Sequence, residues 1–199
     1  AGQGDGARCM KTAGVLLAAG ASRRFGAADK LLAPLNGRPL ISYAARALVA
    51  AKPDVLIAIS RNADVDTMLA GFDIMKPPEN DPKQSDSLRA GIARAQALGA
   101  RRSIVVLGDM PFVTPGLIEN VMSRSTATTP AAATDGQRRM PPACFPAACF
   151  ADLLAQTGDR GAAAVLQALP QSALVTAEHG ELLDIDTPDA LASAQAQLA

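Results

Sequence analysis

One stretch constrains this chain more than any other: Gly14-Val15-Leu16-Leu17-Ala18-Ala19-Gly20-Ala21-Ser22-Arg23-Arg24-Phe25-Gly26, closing with Lys30. Its apolar run of about five residues reads as a buried strand. The run then breaks abruptly into small and cationic residues. Open α/β sheets place their ligands at such transitions, beyond the carboxyl ends of the strands. Small residues let backbone N–H groups approach an anion closely, and Arg23, Arg24 and Lys30 add positive charge. The stretch is therefore read as a phosphate-binding loop, with an ordinary basic turn as the plainer alternative. Two common fingerprints do not fit it. Walker A requires Gly-Lys four residues after its first Gly, whereas Gly26 follows Gly20 after five residues and precedes Ala27. The dinucleotide pattern requires Gly-x-Gly, and the chain has Gly20-Ala21-Ser22.

Further apolar runs follow at α/β spacing. Val55–Ile59, the short Phe72–Met75 and Ser103–Leu107 read as strands. Between them, Asn36-Gly37 marks a turn, and Pro39 is expected in the first turn of a helix over Leu40–Leu48. A short helix is expected around Val65–Ala70. Ser85 or Asp86 is expected to cap another, which ends at Gly99. Thr114 and Pro115 open a further helix. The second half is less regular. Strands are expected at Ala131–Thr134, Ala143–Phe145, Ala173–Thr176 and Leu182–Asp184, and helices near Ala147–Gln156 and Ala162–Ala168. Asp135-Gly136 is a turn signal, and Thr187 and Pro188 open a last Ala-rich helix. This order predicts an α/β fold, three-layered and doubly wound around a mostly parallel sheet. Residues 1–11 read as a flexible, Gly-rich leader and 12–199 as a single domain, without internal repeat or linker.

Composition excludes several classes of function. Lys plus Arg and Asp plus Glu both number 19 in 199 residues, and there is no Trp and one Tyr. A nucleic-acid partner is thus not expected, since neither a basic excess nor stacking platforms are present. The cysteines Cys9, Cys144 and Cys149 are odd in number and form no C-x-x-C pair, which argues against a disulfide framework or a structural zinc site and makes a reducing cytoplasm the simplest setting. No apolar run approaches the roughly 18 residues of a membrane span.

Few residues are placed to do chemistry. Asp109, in Gly108-Asp109-Met110-Pro111, stands just past an apolar strand and points into the same crevice as the loop if the two strands are neighbours. A hard oxygen ligand beside phosphates suits Mg²⁺; a turn or capping role is the alternative. Asp184 and Asp186 share a face if their segment is a strand, so that one of them can be a second metal ligand. Both can equally serve a helix N-terminus. Arg160 is a loop cation able to hold a phosphate or an ion pair. His179, the only histidine, reads as a surface residue, and Cys144 and Cys149 as buried or half-buried thiols.

Together these pieces resemble the MobA/MocA-like nucleotidyltransferases of molybdenum-cofactor maturation. The matching residues are Leu17–Gly26 with Lys30-Leu31-Leu32, Asn80 followed by Ser87–Ile92, Gly108–Pro111, Gly158–Gly161, and Asp184–Pro188. The resemblance implies a nucleotide-diphospho-sugar transferase-like (Rossmann-like) fold that binds an NTP and Mg²⁺. It implies a nucleotide site of Leu17, Ala18, Ala19, Gly20, Arg24, Gly26, Lys30, Asn80, Ser87 and Asp109. Lys30, Arg24 and Asp109 would be catalytic, with Asp109 and Asp186 on the metal. The implied reaction joins a terminal phosphate of the molybdopterin-type cofactor to the α-phosphorus of CTP or GTP and releases pyrophosphate. Ala18-Ala19-Gly20 resembles the cytidylyltransferase branch, where a methyl at Ala19 would favour a pyrimidine. The segment Asp81–Asp86 and the run Arg139-Met140-Pro141-Pro142 depart from the family pattern. Another phosphorylated acceptor, or a non-catalytic cofactor-binding role, stays open. The resemblance also leaves room for a molybdoenzyme or its chaperone as partner.

Overall fold

The computed structural model describes residues 10–20, 22–25, 29–78, 83–158 and 162–197. Its strands are β1 (Thr12–Ala18), β2 (Pro34–Leu35), β3 (Arg38–Pro39), β4 (Val55–Ser60), β5 (Asp73–Met75), β6 (Arg102–Leu107), β7 (Ala131–Thr134), β8 (Arg139–Pro146) and β9 (Leu174–Thr176). Its helices are α1 (Ile41–Ala50), α2 (Ala63–Thr67), α3 (Gln84–Ala97), α4 (Pro115–Arg124), α5 (Phe150–Leu154), α6 (Ala163–Gln167) and α7 (Pro188–Gln197).

The main sheet runs β5-β4-β1-β6-β8-β7-β9. β1 pairs in parallel with β4 and β6, and β4 with β5. β8 runs antiparallel to both its neighbours, and β9 is parallel to β7. The sheet is thus mostly parallel, as the alternation of apolar runs and helices predicts. Leu17 lies beside Ile59 on one side and Leu107 on the other, so the carboxyl ends of the three central strands are level. The segments that follow them therefore meet at one edge.

Side chains alternate across β1, and both faces are covered. Leu16 and Ala18 pack with Ile41, Leu48, Ile118 and Val121 of α1 and α4. Ala13 and Val15 pack on the opposite side with Leu88 and Ile92 of α3 and Phe150 and Leu153 around α5. Gly91 lets α3 come this close, because a Cβ there would lie 2.5 Å from Val15 Cγ1. A smaller cluster of Leu35, Leu40, Ile185 and Ala194 fastens the β2–β3 hairpin to α7.

Three local expectations change. Pro39 belongs to β3, because Asn36 and Gly37 (φ +45° and +75°) form a tight hairpin that delays the helix to Ile41. α3 begins at Gln84, before either expected cap. Its third residue, Asp86, reaches back to accept from the Lys83 N–H at 2.9 Å. Leu182–Asp184 is not a strand. β6, the strand it approaches, is already paired on both sides, and the Ile185 N–H donates to the carbonyl of Asp109 at 2.9 Å. Thr114 and Thr187 do cap their helices, accepting from the Leu117 and Ala190 N–H groups, each at 3.1 Å. Among the described residues no helix is long and apolar enough to cross a membrane.

Candidate active site

Asp109 follows β6 in the turn Gly108-Asp109. The Gly108 N–H donates to the Leu17 carbonyl at 2.9 Å, tying that turn to the end of β1. A Cβ at Gly108 would sit 2.6 Å from Ile41 Cδ1 and 3.2 Å from the Leu17 carbonyl oxygen. Glycine therefore sets how closely Asp109 approaches the first loop. The backbone bond from Ile185 to Asp109 brings Asp186 to the same place.

Lys30 unites the two aspartates. It opens a single 3-10 turn at Lys30–Leu32 and is only 7% exposed. Its Nζ donates to Asp109 Oδ2 and Asp186 Oδ1, both at 2.6 Å. Arg24, on the exposed rim, reaches Asp186 Oδ2 at 3.3 Å. Burial works against the Lys30 charge, but the two carboxylates outweigh it and hold the ammonium above its ordinary range. Burial pushes the Asp109 carboxyl up, and Lys30 offsets part of that rise. At Asp186 the hydrogen bond from Lys30 holds the carboxyl below its ordinary value.

This donor set fits a divalent ion. Asp109 Oδ1 is buried and has no hydrogen-bond partner, and Asp186 supplies a second hard oxygen. Among the described residues no group of three or more His, Cys, Asp or Glu side chains is placed to hold a metal. Two carboxylates with substrate phosphates and water are the coordination that Mg²⁺ commonly accepts.

The other expected residues fall in different places. Leu17 and Ala18 end β1, and Gly20 is exposed with open space where a side chain would stand. Ala19, expected to narrow the base site, is 2% exposed and packs into the core on the α3 side. Ser87 is buried in α3, and its N–H donates to the Lys83 carbonyl at 3.3 Å. Gly26, Asn80 and Arg160 lie outside the described residues. His179 is exposed, Cys149 half-buried and Cys144 buried, with burial pushing the Cys144 thiol up to about 11. Such a thiol is inert as a nucleophile.

An open cavity of about 210 Å³ lies beside Leu17 and Leu107, lined also by Leu88, Met140, Phe145 and Leu166. Arg139 borders it, but its guanidinium donates to the Leu169 carbonyl at 2.8 Å and to that of Gln167. Sequence reading missed Gly108 as a spacer and the pairing of Asp29 with Asn62. The only signals were a glycine after a strand and a polar residue before each short helix.

Comparison with known proteins places the chain in a family. Residues 14–174 match the MobA-like NTP transferase domain family. The purine catabolism protein PucB of Bacillus subtilis is 27% identical over 190 residues, 88% of this chain and 92% of that protein. A molybdenum cofactor guanylyltransferase of Cereibacter sphaeroides is 31% identical over 196 residues, 95% of this chain and 98% of that protein. A nucleotidyl transferase from Methanothermobacter thermautotroptrophicus shares the fold with a TM-score of 0.81 at 22% identity, over 94% of this chain and 97% of that one. Rv0371c from Mycobacterium tuberculosis, solved in complex with manganese, gives 0.78 at 24% identity, over 94% and 98%. The chain belongs to the MobA-like NTP transferase domain family and is an enzyme of the nucleotidyltransferase type.

Proposed function

We propose that the enzyme transfers CMP from CTP to the terminal phosphate of a molybdopterin-type cofactor and releases pyrophosphate. The observation that carries this reading is the convergence of Lys30, Asp109, Asp186 and Arg24 at the carboxyl edge of β1 and β6. In the reaction a phosphate oxygen of the acceptor forms a bond to the α-phosphorus. The bond from that phosphorus to the bridging oxygen of pyrophosphate breaks. Such an in-line displacement needs alignment and charge neutralisation rather than covalent help. The acceptor phosphate is already anionic at neutral pH, so no general base is needed, consistent with an exposed His179.

Lys30 and Arg24 are the cations that face the phosphates, and the backbone of Leu17–Gly20 lies against the nucleotide. Asp109 and Asp186 would hold Mg²⁺, which when bound would neutralise charge on the phosphates. The apolar cavity beside Leu107 offers room for a ring of the acceptor. The preference for CTP rests on the resemblance of Ala18-Ala19-Gly20 to the cytidylyltransferase branch. GTP is the second reading, favoured by the name of the guanylyltransferase relative.

The test is pyrophosphate release from each of the four NTPs, with Mg²⁺ and molybdenum cofactor. Release with CTP alone is expected. Release with GTP alone would reverse the base assignment. Cofactor binding without any release would replace transfer by a carrier role.

A further inference from the structure

We propose that Asn62 is a positioning residue: through Asp29 it fixes the turn that presents Lys30 to Asp109 and Asp186. The proposal rests on the reading of Lys30 given above. Asn62 follows β4, the strand next to β1, and both ends of its amide are engaged. Its Oδ1 accepts from the Asp64 N–H at 2.9 Å and caps α2. Its Nδ2 donates to Asp29 Oδ2 at 2.9 Å. The other oxygen of Asp29 accepts from the Leu31 N–H at 3.0 Å and from Ser22 Oγ at 3.2 Å. Ser22 Oγ in turn accepts from the Lys30 N–H at 3.2 Å. The backbone on both sides of Lys30 thus hangs on one carboxylate, and that carboxylate is held by an amide from a neighbouring strand. Asn62 touches no reacting group. It acts by limiting how far the short 3-10 turn can rotate, and so fixes where the backbone of Lys30 stands relative to the two aspartates that its Nζ reaches.

The amide's two ends allow the helix-capping role to be separated from the positioning role. Asn62→Asp keeps the cap on α2, because Asp serves that position as well as Asn. It also sets a carboxylate against Asp29, and two like charges at hydrogen-bond distance push apart. The double variant Asp29→Asn with Asn62→Asp restores the bond with donor and acceptor exchanged. Its net charge equals that of the natural chain, and the amide introduced at position 29 retains an oxygen for Leu31 and Ser22.

Hydrogen–deuterium exchange of amides 30–33 in the free full-length protein reads the positioning without any substrate. Affinity for CTP and GTP with Mg²⁺ reads its consequence. In Asn62→Asp these amides are expected to exchange roughly threefold faster or more, and triphosphate affinity to fall about tenfold. The melting temperature is expected to hold, and the double variant to recover most of both losses. Exchange at the natural rate in Asn62→Asp, or no recovery in the double variant, would overturn the proposal. If the natural protein binds neither triphosphate, the phosphate role of Lys30 fails, and the exchange data still decide the role of Asn62.

Discussion

Asp109 holds a charge that its surroundings oppose. Burial pushes its carboxyl up, one oxygen has no partner, and Lys30 supplies the main compensation. Asp109→Asn keeps the shape and an acceptor for Lys30, which also retains Asp186. Stability is therefore expected to change by less than about 1 kcal/mol in a urea titration, since no uncompensated charge is created. Turnover is expected to fall at least about a hundredfold, because the neutral amide loses both charge and metal affinity. Lys30 also occupies the space between the two carboxylates, where a cation would sit. Lys30→Met is expected to tighten Mn²⁺ binding to the nucleotide-free protein about tenfold. The readout is electron paramagnetic resonance of free Mn²⁺. Arg24→Gln removes an equal charge from an exposed site and is expected to change that affinity less than about threefold. Weaker binding in Lys30→Met would mean that the lysine assembles the site rather than holding its place.

Two glycines separate packing from positioning at the level of elements. Gly91 lies where α3 crosses β1, and a methyl there meets the stiff, fully buried side chain of Val15. Gly91→Ala is expected to cost about 1–3 kcal/mol in denaturant unfolding while the folded fraction keeps its activity. Gly108 meets the far end of Ile41, which can rotate away, and the Leu17 carbonyl, which cannot. Gly108→Ala is expected to cost less than about 1.5 kcal/mol, yet to lower turnover about tenfold by displacing Asp109. Equal losses of stability and activity in both variants would contradict this division.

Across the whole molecule, what was legible in the sequence was what depends on local pattern. The central strands are apolar runs buried on both faces, and Thr114-Pro115 and Thr187-Pro188 carry their caps and first turns within a few residues. β8 was harder to see, because Pro141 and Pro142 lie inside it. They are accommodated where its register with β7 shifts, between Ala132 and Ala133, so the missing N–H groups break no regular ladder. The residue types of the site were visible as well: a basic loop, an aspartate after a strand, a pair of aspartates before a helix. Their pairing was not, since Lys30 meets Asp109 across 79 residues and Asp186 across 156. The bond between Asn62 and Asp29 was hidden for the same reason, because it joins the segments that follow two different strands, across 33 residues. The central claim is that these distant groups form one metal-and-triphosphate site. A crystal soaked with Mn²⁺ and a non-hydrolysable CTP analogue tests it most directly. Anomalous density between Asp109 and Asp186, with the triphosphate against Lys30, is the predicted result. Manganese and triphosphate bound elsewhere, with Lys30 still bridging the two aspartates, would contradict it.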